Sequence, residues 1–305
     1  MGAGAVGGFY GGMLALSGVP VTLIGRSPHV DAIRRNGLAI LRSDRRDIAR
    51  VDASTEVGAI GSAQVVLVCV KAPDTRAAAL AMRPHLAPDA VVVSLQNGVA
   101  NADVLADALD QVVLASVVWV GTSMDGPGVV RHAGRGELEL GVGRSGNGRA
   151  GAQARAREVA AMFERAGVPC SVVDDIDAAL WRKLIINCAF NAVSALGRAR
   201  YGRMAAEPAI RELMEASVRE ALAVARVSGV AIDEAAMIAS VWRTAETMAS
   251  QHSSTAQDIV RGKRTEIGVL NGYVAERGAA LGIATPVNRA LHALVRLREA
   301  GDDLA

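Results

Sequence analysis

Aromatic residues are scarce: Phe, Trp and Tyr together make 3% of the 305 residues, three of each. The cores must therefore be aliphatic, and a surface that stacks nucleic-acid bases on aromatic rings is excluded. An excess of either charge is also missing. Lys and Arg number 33 against 31 Asp and Glu, a formal net charge of +2, and the basic residues are scattered, so no nucleic-acid partner is expected. Cysteine is limited to Cys69, Cys170 and Cys188, in or beside apolar runs. That odd count excludes a full disulfide framework and reads as reduced, buried thiols in a cytoplasmic protein. His29, His85, His132, His252 and His292 show no metal-ligand spacing, so no metal is expected. No apolar run approaches the roughly twenty residues of a membrane span, and no signal peptide precedes the first motif, so no membrane partner is expected either.

The last absence is a strand. The chain opens Met1-Gly2-Ala3-Gly4-Ala5-Val6-Gly7-Gly8, a G-x-G-x-x-G pattern, and continues through Met13, Leu14 and Leu16 to a Ser17-Gly18 stop and an extended Val21-Thr22-Leu23-Ile24 run. In a dinucleotide-binding turn, Gly2 and Gly4 would allow the tight turn and the close approach of a pyrophosphate. Gly7 would let the helix pack on the strand, and the helix N-terminus, with Ala5 and Val6 in its first turn, would face the negative charge. Only Met1 stands before Gly2, where a doubly wound sheet has its central first strand. Loss of that strand would leave two rows of buried backbone groups without partners. The sequence leaves open whether upstream codons belong to the gene or the chain is shortened at its start.

The residues after the second strand select the nicotinamide cofactor. An NAD site usually places Asp or Glu there, whereas this chain has Gly25-Arg26-Ser27. The planar donor fork of Arg26 suits a 2′-phosphate, which favours NADPH over NADH.

Length predicts about two domains, and 51% hydrophobic content is ample for two cores. Up to about Val173, β-rich runs alternate with helical or loop stretches: Val65 to Val70, Ala90 to Leu95, Val112 to Trp119 and Glu137 to Val142. Continuous apolar runs suit strands covered on both faces, hence a parallel Rossmann-type sheet. Gly126-Pro127-Gly128 and the stretch from Gly141 to Gly151 are turn-rich, the latter a loop before a helix from Arg155 to Ala166. From Asp174 the apolar periodicity is helical as far as Arg298, and Gly301 to Ala305 reads as a frayed tail. The expectation is an α/β domain over 1–173, its first strand truncated, and an all-helical domain over 174–305. Lys71 and Asn97 follow two of the strands, at the carboxyl edge where open α/β sheets bind ligands. Asn97-Gly98 is also a ready tight turn.

In the helical half, Trp181 to Asn191 is an apolar helical segment that carries Lys183, Asn187 and Asn191 at i, i+4 and i+8. These fall on one narrow stripe, which in a mostly buried helix must face something it can hydrogen-bond. An exposed amphipathic edge is the alternative. A second segment runs from His252 to Gly272. Ser254 with Gln257 fits the capping box S-x-x-Q, and a capped helix end presents N–H groups that suit a carboxylate. Glu266 lies twelve residues on, about 120° round a straight helix, so both can line a cleft only if the helix breaks, with Gly262 as the place. A surface ion pair with Lys263 is the plainer reading of Glu266.

Together these residues resemble the ketopantoate reductase family of the 6-phosphogluconate dehydrogenase-like superfamily. The likeness rests on Gly2 to Gly7, Gln96-Asn97-Gly98, Trp181-Arg182-Lys183 with Asn187 and Asn191, Ser253 to Asp258, Thr265-Glu266 and Asn271-Gly272. It runs from Gly2 to about Arg298. The resemblance implies that Lys183 is the catalytic lysine, with Asn187 beside it. It implies that Asn97, Asn191, Ser254 and Glu266 bind substrate with Asn187, and that Arg26, Lys71 and Asn97 contact NADPH. Gly268 departs from the family, which often has an acidic residue there.

The implied reaction is reduction of 2-dehydropantoate to pantoate. Negative charge would develop on the ketone oxygen, and an amine in apolar surroundings, Lys183, would give up its proton to it. Asn187 and Asn97 would orient Lys183 and the ketone, Ser254 and its helix end would take the carboxylate, and Glu266 would accept from the distal hydroxyl. The open alternatives are a reductase of another 2-keto or hydroxy acid and a non-catalytic paralogue. A homodimer is the assembly to test.

Overall fold

A computed structural model of the chain describes residues 1–144 and 151–301. Most of the expected loop from Gly141 to Gly151, and nearly all of the expected tail, lie outside the described residues. The chain divides into two compact units, Met1–Asp177 and Ala178–Ala305. The division falls in the first turn of a long helix, a few residues beyond the position expected from sequence.

In the first unit the elements run α1 (Ala5–Leu16), β1 (Thr22–Ile24), α2 (Ser27–Asn36), β2 (Leu38–Leu41), β3 (Arg46–Ala49), β4 (Asp52–Ser54), β5 (Val65–Val68), α3 (Thr75–Met82), β6 (Val91–Ser94), α4 (Asn101–Ala108), β7 (Val112–Gly126), β8 (Val129–Gly141), α5 (Ala152–Arg165) and β9 (Cys170–Val172). Neighbouring strands follow the order β3-β2-β8-β7-β6-β5, with β9 on β8, and β1 pairs with β4 alone. Helices cover both faces, as in a Rossmann-like fold. The apolar runs are continuous because each strand feeds two cores: Val91 and Val93 of β6 join α1 and α5 residues such as Phe9 and Phe163, while Val92 joins Ala79, Met82 and Leu105 of α3 and α4. Each of these valine, leucine, methionine and phenylalanine side chains, fully buried, contributes about 1.5–3 kcal/mol.

The sheet is mixed, which corrects the expectation of a parallel one. β5, β6 and β7 run parallel, but β7 and β8 form a long antiparallel hairpin and β2 pairs antiparallel with β3. Gly126-Pro127-Gly128 makes the reversal, with Gly126 and Gly128 at positive φ. A hairpin also buries apolar runs when both its faces are covered, so composition did not separate the two arrangements.

The place of the first strand is taken by Met1 to Ala3. The Met1 amine donates to Leu67 O (2.7 Å) and Cys69 N donates to Met1 O (2.8 Å), while Gly2 N and Ala3 N both donate to Ile24 O (2.9 Å). Three residues thus bridge β1 and the end of β5. Part of the backbone hydrogen bonding expected to be lost is therefore made.

The second unit is helical throughout its described residues: α6 (Ile176–Gly197), α7 (Tyr201–Ala206), α8 (Pro208–Val227), α9 (Glu234–Thr247), α10 (Ser254–Val260), α11 (Asn271–Ala280) and α12 (Pro286–Glu299). α6 is the longest of these helices and is largely buried, with Leu184, Ile185, Cys188, Ala189, Phe190 and Ala192 all inside. Phe190 stacks on Tyr201 of α7 at 4.2 Å, and Trp181 meets Tyr273 of α11 edge-on at 5.9 Å. Cys170 and Cys188 are buried free thiols, and burial raises the pKa of both.

Candidate active site

In the first unit the glycine turn is held by steric necessity. Gly2 lies at φ +98°, and a Cβ there would come within 2.8 Å of the Cys69 backbone. A Cβ on Gly7 would sit 2.2 Å from Gly2 O, so only glycine lets α1 start this close to the turn. Gly4 differs. It is the N-cap residue of α1, no side chain caps the helix there, and a Cβ on it would meet nothing within 4 Å. With no acidic residue in its first turn, the positive end of α1 carries no opposing charge of its own, and at Gly4 there is room in front of it. That cradle fits a pyrophosphate. Arg26 stands one residue past Gly25 at the end of β1, exposed, as the N-cap residue of α2. The backbone bonds from Gly2 and Ala3 to Ile24 place the turn and Arg26 at the same sheet edge.

Lys71 and Asn97 close the neighbouring strands β5 and β6, the first exposed and the second half-buried. Buried Gln96 ties their loops together. Its Nε2 donates to Val70 O (3.0 Å) and to Thr75 Oγ1 (2.8 Å), while its Oε1 accepts from Ser94 Oγ (3.2 Å). Thr75 Oγ1 lies 3.0 Å from Asn101 Oδ1, and Asn101 Nδ2 donates to Asn97 O (2.7 Å). Gly98 takes φ +102°, so the turn reading of Asn97-Gly98 holds as well. Sequence reasoning chose Asn97, quoted Gln96 only within the motif and passed over Thr75 and Asn101, although Asn101 holds Asn97 directly and Gln96 and Thr75 hold Asn101 in turn. A polar residue just past an apolar run, Gln96 after Leu95, was the available signal.

In the second unit Lys183 and Asn187 are half-buried on α6, and Asn191 is buried. The stripe therefore deepens along the helix. The N-cap of α10 is Ser253, not Ser254: Ser253 Oγ accepts from Ala256 N at 3.0 Å. Gln257, on which the capping-box reading relied, reaches back to His252 O (3.4 Å). Ser254 is the first helical residue and is exposed. α10 does break at Gly262, which at φ +60° ends the helix with Gly262 N donating to Ile259 O (3.0 Å) and Lys263 N to Asp258 O (2.8 Å). Glu266 is half-buried beyond the break, next to Thr265, whose N donates to Glu299 Oε1 (2.6 Å).

Behind α6 lies a buried polar network that the sequence did not reveal. Asn271 Nδ2 donates to Cys188 O (3.0 Å) and to Asn288 Oδ1 (2.9 Å), and Ser217 Oγ donates to Asn288 Oδ1 (3.0 Å). Asn288 Nδ2 donates to Ser217 O (3.0 Å) and to Glu220 Oε2 (2.8 Å). The Glu220 carboxylate also accepts from Val287 N and Asn288 N (2.9 Å each), which sets a negative charge at the N-terminus of α12. Among the described residues, no group of three or more His, Cys, Asp or Glu could hold a metal, and no helix is long and apolar enough to cross a membrane.

Comparison with known proteins places both units. Residues 1–145 match the family model "Ketopantoate reductase PanE/ApbA", and residues 175–299 match its C-terminal counterpart. A 2-dehydropantoate 2-reductase of Halobacterium salinarum is 37% identical, over 98% of this chain and 97% of its own length. The solved structure of a PanE/ApbA family ketopantoate reductase from Ralstonia eutropha JMP134 aligns with TM-score 0.90 at 49% identity, over 98% and 97% of the two chains. A D-mandelate dehydrogenase solved with NADH and anilino(oxo)acetate aligns with TM-score 0.90 over 98% and 97% of the chains, and at 24% identity that likeness concerns the fold.

Proposed function

Because the chain belongs to the ketopantoate reductase family of nicotinamide-dependent oxidoreductases, we propose that it is a cytoplasmic enzyme that reduces 2-dehydropantoate to pantoate with NADPH. The observation that carries the reading is the stripe of Lys183, Asn187 and Asn191, a cation and two amides on a largely buried, otherwise apolar helix. Gly2, Gly4, Ala5, Val6 and Gly7 would cradle the pyrophosphate, Arg26 the 2′-phosphate, and Lys71 and Asn97 would add contacts. Bound, the nicotinamide supplies a hydride to the 2-keto carbon.

Lys183 Nζ gives its proton to the ketone oxygen as charge develops there. Asn187, one turn along, holds the ammonium in line, and Asn97 orients the ketone. Asn191 and the Ser254 hydroxyl bind the carboxylate end of the substrate. Glu266 accepts from the distal hydroxyl, a contact that favours substrates carrying that hydroxyl over analogues lacking it.

The test is NADPH oxidation in the presence of 2-dehydropantoate and of a panel of other 2-keto acids. Lys183→Ala should lower kcat by about 10²–10⁴-fold while NADPH still binds in a fluorescence titration. Substantial residual turnover removes Lys183 from the chemistry. Equal turnover of keto acids that lack the hydroxyl makes the protein a reductase of another substrate.

A further inference from the structure

α10 is joined to α6 by a closed set of buried hydroxyl contacts. Ser253 Oγ donates to Asn191 O (3.2 Å) while it accepts from Ala256 N, and Ser253 N donates to Ser194 Oγ (3.2 Å). Ser194 Oγ in turn donates to Ala199 O (2.8 Å), where α6 has just ended. Ser253 and Ser194 are 1% and 0% exposed, so water does not compete for these bonds. The preceding residues are held from the same side: Tyr201 N donates to Gln251 O (3.1 Å) and Gly202 N to Ala249 O (3.0 Å). Each hydroxyl both donates and accepts. An ordinary N-cap needs only the acceptance from Ala256 N.

We propose that Ser253 is a positioning residue, which through Asn191 O and the Ser194 hydroxyl sets where Ser254 stands relative to the α6 stripe. The inference rests on the reading of Ser254 and Lys183 given above. The two ends of the contact are residue 191 of the stripe and the residue directly before Ser254, so a shift in the serine pair moves one proposed substrate group against the others. Ser194 shares the task, since it holds the Ser253 backbone and takes no part in capping.

The experiment is a double-mutant cycle on the full chain. Ser253→Ala and Ser194→Ala should each lower kcat/KM for 2-dehydropantoate by about tenfold, with KM for NADPH unmoved. In a Ser254→Ala background each should cost less than about twofold more, because the group they position is already gone. Hydrogen exchange of the same variants provides a reading that needs no substrate. Either change should speed exchange in the first turn of α10 and in the Asn191–Ala195 amides of α6 together. Additive losses in the cycle overturn the proposal. So does faster exchange confined to α10 in Ser253→Ala with none in Ser194→Ala, the pattern of a plain helix cap. If the parent protein does not reduce 2-dehydropantoate, the functional reading fails, and the exchange result still decides whether Ser253 couples the two helices.

Discussion

The two units fix their candidate site residues by opposite means. The first relies on the absence of side chains: Gly2, Gly7 and Gly25 let backbone meet backbone, and a Cβ on Gly25 would stand 2.6 Å from Ala3 Cβ. The second relies on their presence, with buried Ser217, Asn271 and Asn288 and half-buried Glu220 bonded to helix backbones and to one another. A turn that must approach a ligand closely cannot spare room for a side chain. A helix that must present a stripe at a fixed rotation needs something to hold that rotation, and apolar packing alone is permissive.

The comparison can be broken from either side. The largest effect is expected in the helical unit, from Asn288→Ala. It leaves Ser217 O, Asn271 Nδ2 and an oxygen of Glu220 short of a partner, at about 1–3 kcal/mol for each buried group. Thermal unfolding should move down by roughly 10 °C, and an unchanged Tm would mean the network is incidental. Gly7→Ala comes next. The added Cβ must displace the Gly2 carbonyl, a cost of about 1–3 kcal/mol, and NADPH affinity should fall with it while the second unit keeps its stability. Two resolved unfolding steps, of which only one shifts, would check this. The smallest and sharpest is Arg26→Asp, which should change little in stability and lower the NADPH to NADH ratio of kcat/KM. A constant ratio would leave the exposed Arg26 without a role in cofactor choice.

What was legible in the sequence follows the same divide. The glycine turn could be read because a steric requirement names one residue type at fixed spacing, and α1 and β1 came with it. The α6 stripe could be read because i, i+4 and i+8 lie within one helix. β2, β3, β4 and β9 were missed, being only three or four residues long. The β7–β8 hairpin was read as separate strands because its turn signal, Gly126-Pro127-Gly128, says that the chain reverses but not that the flanking runs pair. The cap of α10 was misplaced by one residue because Ser253 and Ser254 offer the same hydroxyl, and only burial separates them. The Asn288 network joins residues 17 to 83 positions apart, beyond any local pattern.

The contact of Trp181 with Tyr273 has a spectroscopic consequence. The three indoles are shared unequally, with Trp119 in the first unit and Trp181 and Trp242 in the second. Replacing Trp119 by Phe would leave every tryptophan photon to the helical unit, and the buried Trp181, two positions before Lys183, would give a blue-shifted emission sensitive to how α6 sits against α11. The scarcity of aromatics with which the sequence begins thus makes the second unit its own reporter, visible without a dye.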